Sequence, residues 1–64
     1  MNYTNSQIRE LIDEHIHSER DRSILKRRFI DGIHYEPLAE EHNMSRAQIV
    51  RIVKNGEDVF SKLI

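Results

Sequence analysis

Arg46, Ala47, Gln48, Val50 and Arg51 stand close together in the chain, and at helical spacing they make a set of side chains able to meet the edges of base pairs. An arginine fork can donate two hydrogen bonds to O6 and N7 of guanine, a contact that discriminates by roughly 1–3 kcal/mol when well made. Ala47 and Val50 offer apolar surface of the kind that meets a thymine methyl, and Gln48 on the flank suits adenine or a phosphate. An earlier basic run, Lys26, Arg27 and Arg28, is better placed for phosphate than for bases. The same run has a purely structural alternative, which is to pair within the fold with Glu36, Glu40 or Glu41. Surface pairs of that kind contribute only about 0–1 kcal/mol each.

Such side chains read nothing unless an element holds them, and the segment Leu38–Lys54 has the spacing of a helix-turn-helix. Leu38 and Ala39 belong to a first short helix, where a small residue is needed beneath a crossing helix. Asn43 stands where the chain must turn, and Asn tolerates the left-handed conformation better than any other non-glycine residue. Met44 is an apolar plug in the turn and Ser45 a good N-cap for the second helix. Ile49, Ile52 and Val53 recur at helical spacing toward a core, leaving Arg46, Ala47, Val50, Arg51 and Lys54 on the other side.

The rest of the chain also reads as helix, with no convincing strand alternation. Thr4, Asn5 or Ser6 can cap a first helix over about residues 6–17, with Ile8, Leu11, Ile12 and Ile16 as its apolar stripe. Ser18 can cap a second helix running to about Ile30, with Asp21 in the place of the acid of a capping box. Ile24, Leu25 and Phe29 face inward there, and Asp31-Gly32 is a stop signal. His34 is a weak cap for a third helix that has Tyr35, Glu36 and Pro37 in its first turn and ends near His42. The fourth helix spans about Ser45 to Lys54, after which Asn55-Gly56 is expected to end or kink it before a final short helix. The expected fold is therefore all-α, four to five short helices with a helix-turn-helix in an orthogonal bundle, and residues 1–64 form a single domain. Its core is expected to hold Ile24, Leu25, Phe29, Ile33, Leu38, Ala39, Met44, Ile49, Ile52 and Val53. The final patch, Val59, Phe60, Leu63 and Ile64, is surplus to a three-helix core and is a candidate dimer surface, unless the first and last helices close the core together.

Composition narrows the functions available. No cysteine is present, which excludes disulfides and a thiolate zinc site. His15 and His17, two residues apart on a helix, diverge, so no metal site is expected, and His34 and His42 suit capping and core-edge packing. Nothing sets a nucleophile beside a base, so neither an enzyme, nor a small-molecule substrate, nor a cofactor is expected. There is no membrane-length apolar run and no signal-peptide character at the start, and the expected location is the cytoplasm of a bacterium or of a phage-infected cell. The net charge of −1 hides a strong asymmetry. Arg9 is outnumbered by Glu10, Asp13 and Glu14, and Glu36, Glu40 and Glu41 stand without a lysine or arginine between residues 33 and 43. Residues 44–56 carry Arg46, Arg51 and Lys54 and no acid. One basic face on an acidic body can still bind phosphates, because the contact face sets the local field.

From Glu19 to about Lys62 the chain resembles the promoter-reading C-terminal domain of bacterial sigma factors, region four, and the small phage regulators similar to it. The matching residues are Glu19-Arg20-Asp21-Arg22, Ile24-Leu25, Arg27-Arg28-Phe29, Asp31-Gly32, Tyr35-Glu36, Leu38-Ala39-Glu40, Met44-Ser45 and Ile49-Val50-Arg51-Ile52. The resemblance implies a recognition helix beginning at Ser45, with Arg46, Ala47, Val50 and Arg51 as base readers. It implies phosphate contacts from Arg27 and Arg28 and near Tyr35, which Ser45 and Lys54 would extend at the two ends of the recognition helix. The chain departs from the pattern at His42, where an apolar residue is usual, at Asn43, where Gly is common, and in the low polarity of Ala47 and Val50. It also has no segment to serve as a sigma factor's polymerase-binding region. The expectation is a homodimeric regulator of transcription bound to double-stranded DNA. The alternative is an interaction module of the same fold, an inhibitor or adaptor that binds RNA polymerase or another host complex.

Overall fold

Capping chemistry sets the boundaries of the four helices. In the computed structural model, which describes residues 3–63, they are α1 (Asn5–His15), α2 (Glu19–Phe29), α3 (Tyr35–His42) and α4 (Arg46–Lys62). Thr4 starts α1 with a full capping box: its hydroxyl accepts from the Gln7 amide at 3.2 Å, and the Gln7 side chain accepts from the Thr4 amide at 2.9 Å. Arg22 closes the other end of α1 by donating to the carbonyls of Ile16 at 2.9 Å and His17 at 3.2 Å, a cation placed at the negative end of the helix. Ser18 caps α2 by accepting from the Asp21 amide at 3.3 Å. The reciprocal bond expected from Asp21 does not form. Its carboxylate is one methylene shorter than that of Glu and accepts from Arg20 instead, at 3.2 Å.

α2 ends as the Asp31-Gly32 pair predicts, with Gly32 at φ 72°, a value that only glycine adopts freely. The His34 cap, by contrast, makes no side-chain hydrogen bond. Pro37 stands at the third helical position and has no N–H, so the donor that an N-cap side chain often takes is missing. The turn between α3 and α4 follows the sequence reading closely. Asn43 is left-handed at φ 55° and ψ 46°, and the amide of the half-buried Met44 donates to the Ala39 carbonyl at 2.9 Å.

The expected break at Asn55-Gly56 does not occur, and α4 runs unbroken through both residues for 17 residues. Gly56 is buried in the helix interior, where a Cβ would come within 2.6 Å of a Leu25 methyl. A glycine inside a helix costs roughly 1 kcal/mol relative to alanine, and here that penalty accompanies a close approach of α4 to α2. The continuous helix carries Phe60 back onto the core. Ile12 from α1 and Phe60 from α4 join Ile24, Leu25, Leu38, Ala39, Ile49, Ile52 and Val53 as the buried set, while Phe29, Ile33 and Met44 pack against it half-buried. The first and last helices thus close the core rather than leaving it open. Among the described residues no helix is long and apolar enough to cross a membrane.

Candidate nucleic-acid interface

Ser45 and Gln48 fix the start of α4. The Ser45 hydroxyl accepts from the Gln48 amide at 3.2 Å, and the Gln48 side-chain oxygen accepts from the Ser45 amide at 2.9 Å. Among the described residues Gln48 therefore keeps its amide NH2 free, while its oxygen already accepts one backbone N–H. Beyond the cap, the step of about 100° per residue gathers Ala47, Val50, Arg51 and Lys54 into one arc and sends Arg46 and Gln48 to its two edges. Ala47, Arg51 and Lys54 are exposed and Val50 is half-buried. Ile49, Ile52 and Val53 lie on the opposite side in the core, so packing fixes which way the arc faces.

At the Arg46 edge three helices converge on one aromatic ring. The guanidinium carbon of Arg28, from α2, lies 4.9 Å from the centroid of Tyr35, on α3. That of Arg46, the first residue of α4, lies 5.5 Å from the same centroid. Such contacts are worth about 0.5–1 kcal/mol at exposed sites. Arg28 also donates to the Ile33 carbonyl at 3.4 Å, which ties it to the link before α3. With His34, Glu36 and Pro37 these residues line an open cleft of about 470 Å³.

The other members of the basic run have different surroundings. Arg27 reaches from α2 to α3, donating to both carboxylate oxygens of Glu41, and to Asp31 at 3.2 Å. Its hydrogen bonds to Glu41 are the main cause that holds the guanidinium pKa above its ordinary value. The same bonds hold the Glu41 carboxyl below the usual carboxylate range. Lys26 pairs with Asp13 of α1 at 2.8 Å. Of the two roles open to this run, Lys26 and Arg27 take internal pairing, in the case of Glu41 with one of the acids singled out from sequence, and Arg28 takes neither.

The candidate dimer patch is divided. Phe60 is only 7% exposed, and its ring lies 5.6 Å from that of Phe29 at an interplanar angle of 60°. Val59 is half-buried against the core, Leu63 is 43% exposed, and Ile64 lies outside the described residues. Nearby, Tyr3, Ile8, Leu11, Phe29 and Phe60 line a small apolar cleft of about 110 Å³. Sequence reasoning gives Arg28, Tyr35 and Arg46 two different roles and does not bring them together, since no local spacing relates Arg46 to Tyr35. Comparison with family models, curated proteins and solved structures finds no significant match.

Proposed function

We propose that this chain binds double-stranded DNA sequence-specifically, laying the first half of α4 in the major groove, and acts as a small transcriptional regulator. The observation that carries this reading is the acid-free arc of exposed Ala47, Arg51 and Lys54 and half-buried Val50, on a firmly capped helix that follows a left-handed Asn43 turn. The arc fits the major groove, which is about 12 Å wide and admits one α-helix. Arg51 is the reader suited to guanine, Ala47 and Val50 meet methyl groups, and Lys54 continues toward the backbone. The resemblance to sigma region four supports the same assignment of faces. One recognition helix reads a short half-site, so a homodimer is part of the proposal, with the two helices about 34 Å apart on a palindromic site. Val59 and Leu63 are the apolar side chains at the end of α4 left to such a contact.

A selection from a random duplex library at moderate salt tests this, run beside an Arg46→Ala/Arg51→Ala variant. Enrichment of a palindrome that the double variant loses is the expected result, and no enrichment by the folded wild-type protein would end the proposal. A second reading, binding of RNA polymerase or another host complex, draws on the apolar cleft at Phe29 and Phe60 and on the acidic α1. It forecasts a stoichiometric protein partner whose capture is indifferent to Arg46 and Arg51.

A further inference from the structure

Tyr35 holds two cations from different helices against one ring, and each has few other partners. Among the described residues neither Arg28 nor Arg46 forms an ion pair with a carboxylate. The one hydrogen bond made by the Arg28 side chain there is to the Ile33 carbonyl. Glu36 lines the same cleft but pairs with neither. Two like charges without a carboxylate in ion-pair contact repel, and an anion between them reduces that repulsion. The cleft also includes the start of α3, where His34 contributes no side-chain bond, so the first amides of that helix keep donors free for an anion.

Helical geometry separates Arg46 from Arg51. They are five positions apart, which turns them about 140° from one another around α4, so both cannot point into the floor of one groove. Arg51 lies within the exposed arc, and Arg46 is at its edge beside Tyr35. Building on the DNA-binding reading above, we propose that Arg28, Tyr35 and Arg46 form a clamp for a single backbone phosphate. Arg46 is then a positioning contact that sets the register of α4, and Arg51 alone of the two arginines reads a base. A guanidinium stacked on Tyr35 still presents its planar fork of N–H donors edge-on, the geometry that suits a phosphate.

The test is fluorescence anisotropy on the selected duplex and on its single-base-pair variants across a salt series, with folding of each protein checked by circular dichroism. Arg46→Ala should weaken all duplexes alike, on the order of tenfold, and the Arg28→Ala/Arg46→Ala double variant should reduce the log–log salt slope by about 0.9, the value of one phosphate contact. Arg51→Ala should instead flatten the preference at one base pair by roughly tenfold. Arg46→Lys and Tyr35→Leu keep the charges but remove the stacking, and both should fall between wild type and Arg46→Ala. Loss of preference at one base pair in Arg46→Ala, or an unchanged salt slope in the double variant, would overturn the clamp while leaving DNA binding intact. Absence of any salt-dependent duplex binding by wild type would remove the DNA reading and the clamp with it.

Discussion

Arg27 and Arg28 are consecutive on α2, and the single step of about 100° between them delivers them to opposite surroundings. Arg27 is clasped by Glu41 and Asp31, and an approaching phosphate would have to displace two carboxylates. Arg28 lies against Tyr35 in the company of Arg46, where a phosphate displaces none. Both arginines address α3, Arg28 at its start and Arg27 near its end. The first contact ties α2 to α3, and the second leaves charge available at the surface. Counting cations along a basic run therefore overstates what the run can offer to an anion, because helix geometry divides it between the fold and the surroundings.

The largest effect is expected at Leu38. This fully buried residue anchors α3, the helix that carries both Tyr35 and Glu41, so Leu38→Ala should disturb both regions together. The expected loss is about 2–5 kcal/mol, read from urea denaturation, and a loss below about 1 kcal/mol would mean that α3 is not pinned by its core contact.

Gly56 tests the contact between α2 and α4. Its missing Cβ lets α4 lie against Leu25 of α2. Gly56→Ala gains about 1 kcal/mol of helix propensity but overpacks a side chain that is 1% exposed, at a cost of about 1–3 kcal/mol. A net destabilisation of about 1 kcal/mol is expected, and Leu25→Val in the same protein should recover part of it. A stabilised Gly56→Ala protein would show that Leu25 yields without cost.

Smaller effects separate the two arginines directly. On a selected duplex Arg28→Ala should lose affinity on the order of fivefold to tenfold, whereas Arg27→Ala should change it by less than about twofold. Equal losses in the same titration would erase the distinction. The smallest effect belongs to Glu41→Gln. The Glu41 pKa is lowered in the folded state by its hydrogen bonds to Arg27. Its contribution is therefore fully present above the ordinary carboxyl value of 4.5 and is lost as pH falls through the depressed folded value. Thermal melts should show wild type slightly above Glu41→Gln at neutral pH and the two converging in acid, with the gap narrowing as salt is added.

Several elements are legible in the amino-acid sequence because their causes are local. Thr4, Ser18 and Ser45 cap their helices within three residues, Gly32 and Asn43 accept the positive φ that a helix end or tight turn requires, and Ile49, Ile52 and Val53 keep helical period. The features that mislead share one origin. The Asn55-Gly56 pair reads as a stop because the penalty for glycine is local, whereas the contact with Leu25 is not. Phe60 reads as free apolar surface because only an unbroken α4 returns it to Phe29 and the core. His34, by contrast, stands at the N-cap of α3 as the sequence indicates, and as a weak cap it makes no side-chain hydrogen bond.

The candidate site divides along the same line. The sequence alone determined which residues share the outer face of α4, because helical period is a property of consecutive positions. It also determined the Asn43 turn and the Ser45 start, since each depends on bonds that span only a few residues. Only the tertiary structure decided that Arg27 is tied to Glu41, that Phe60 is buried, and that Arg28 and Arg46 meet on Tyr35. Those outcomes depend on how closely α2, α3 and α4 approach one another, which is set by the packing of side chains distant in the chain, the Gly56–Leu25 contact of α4 and α2 among them, rather than by any local pattern.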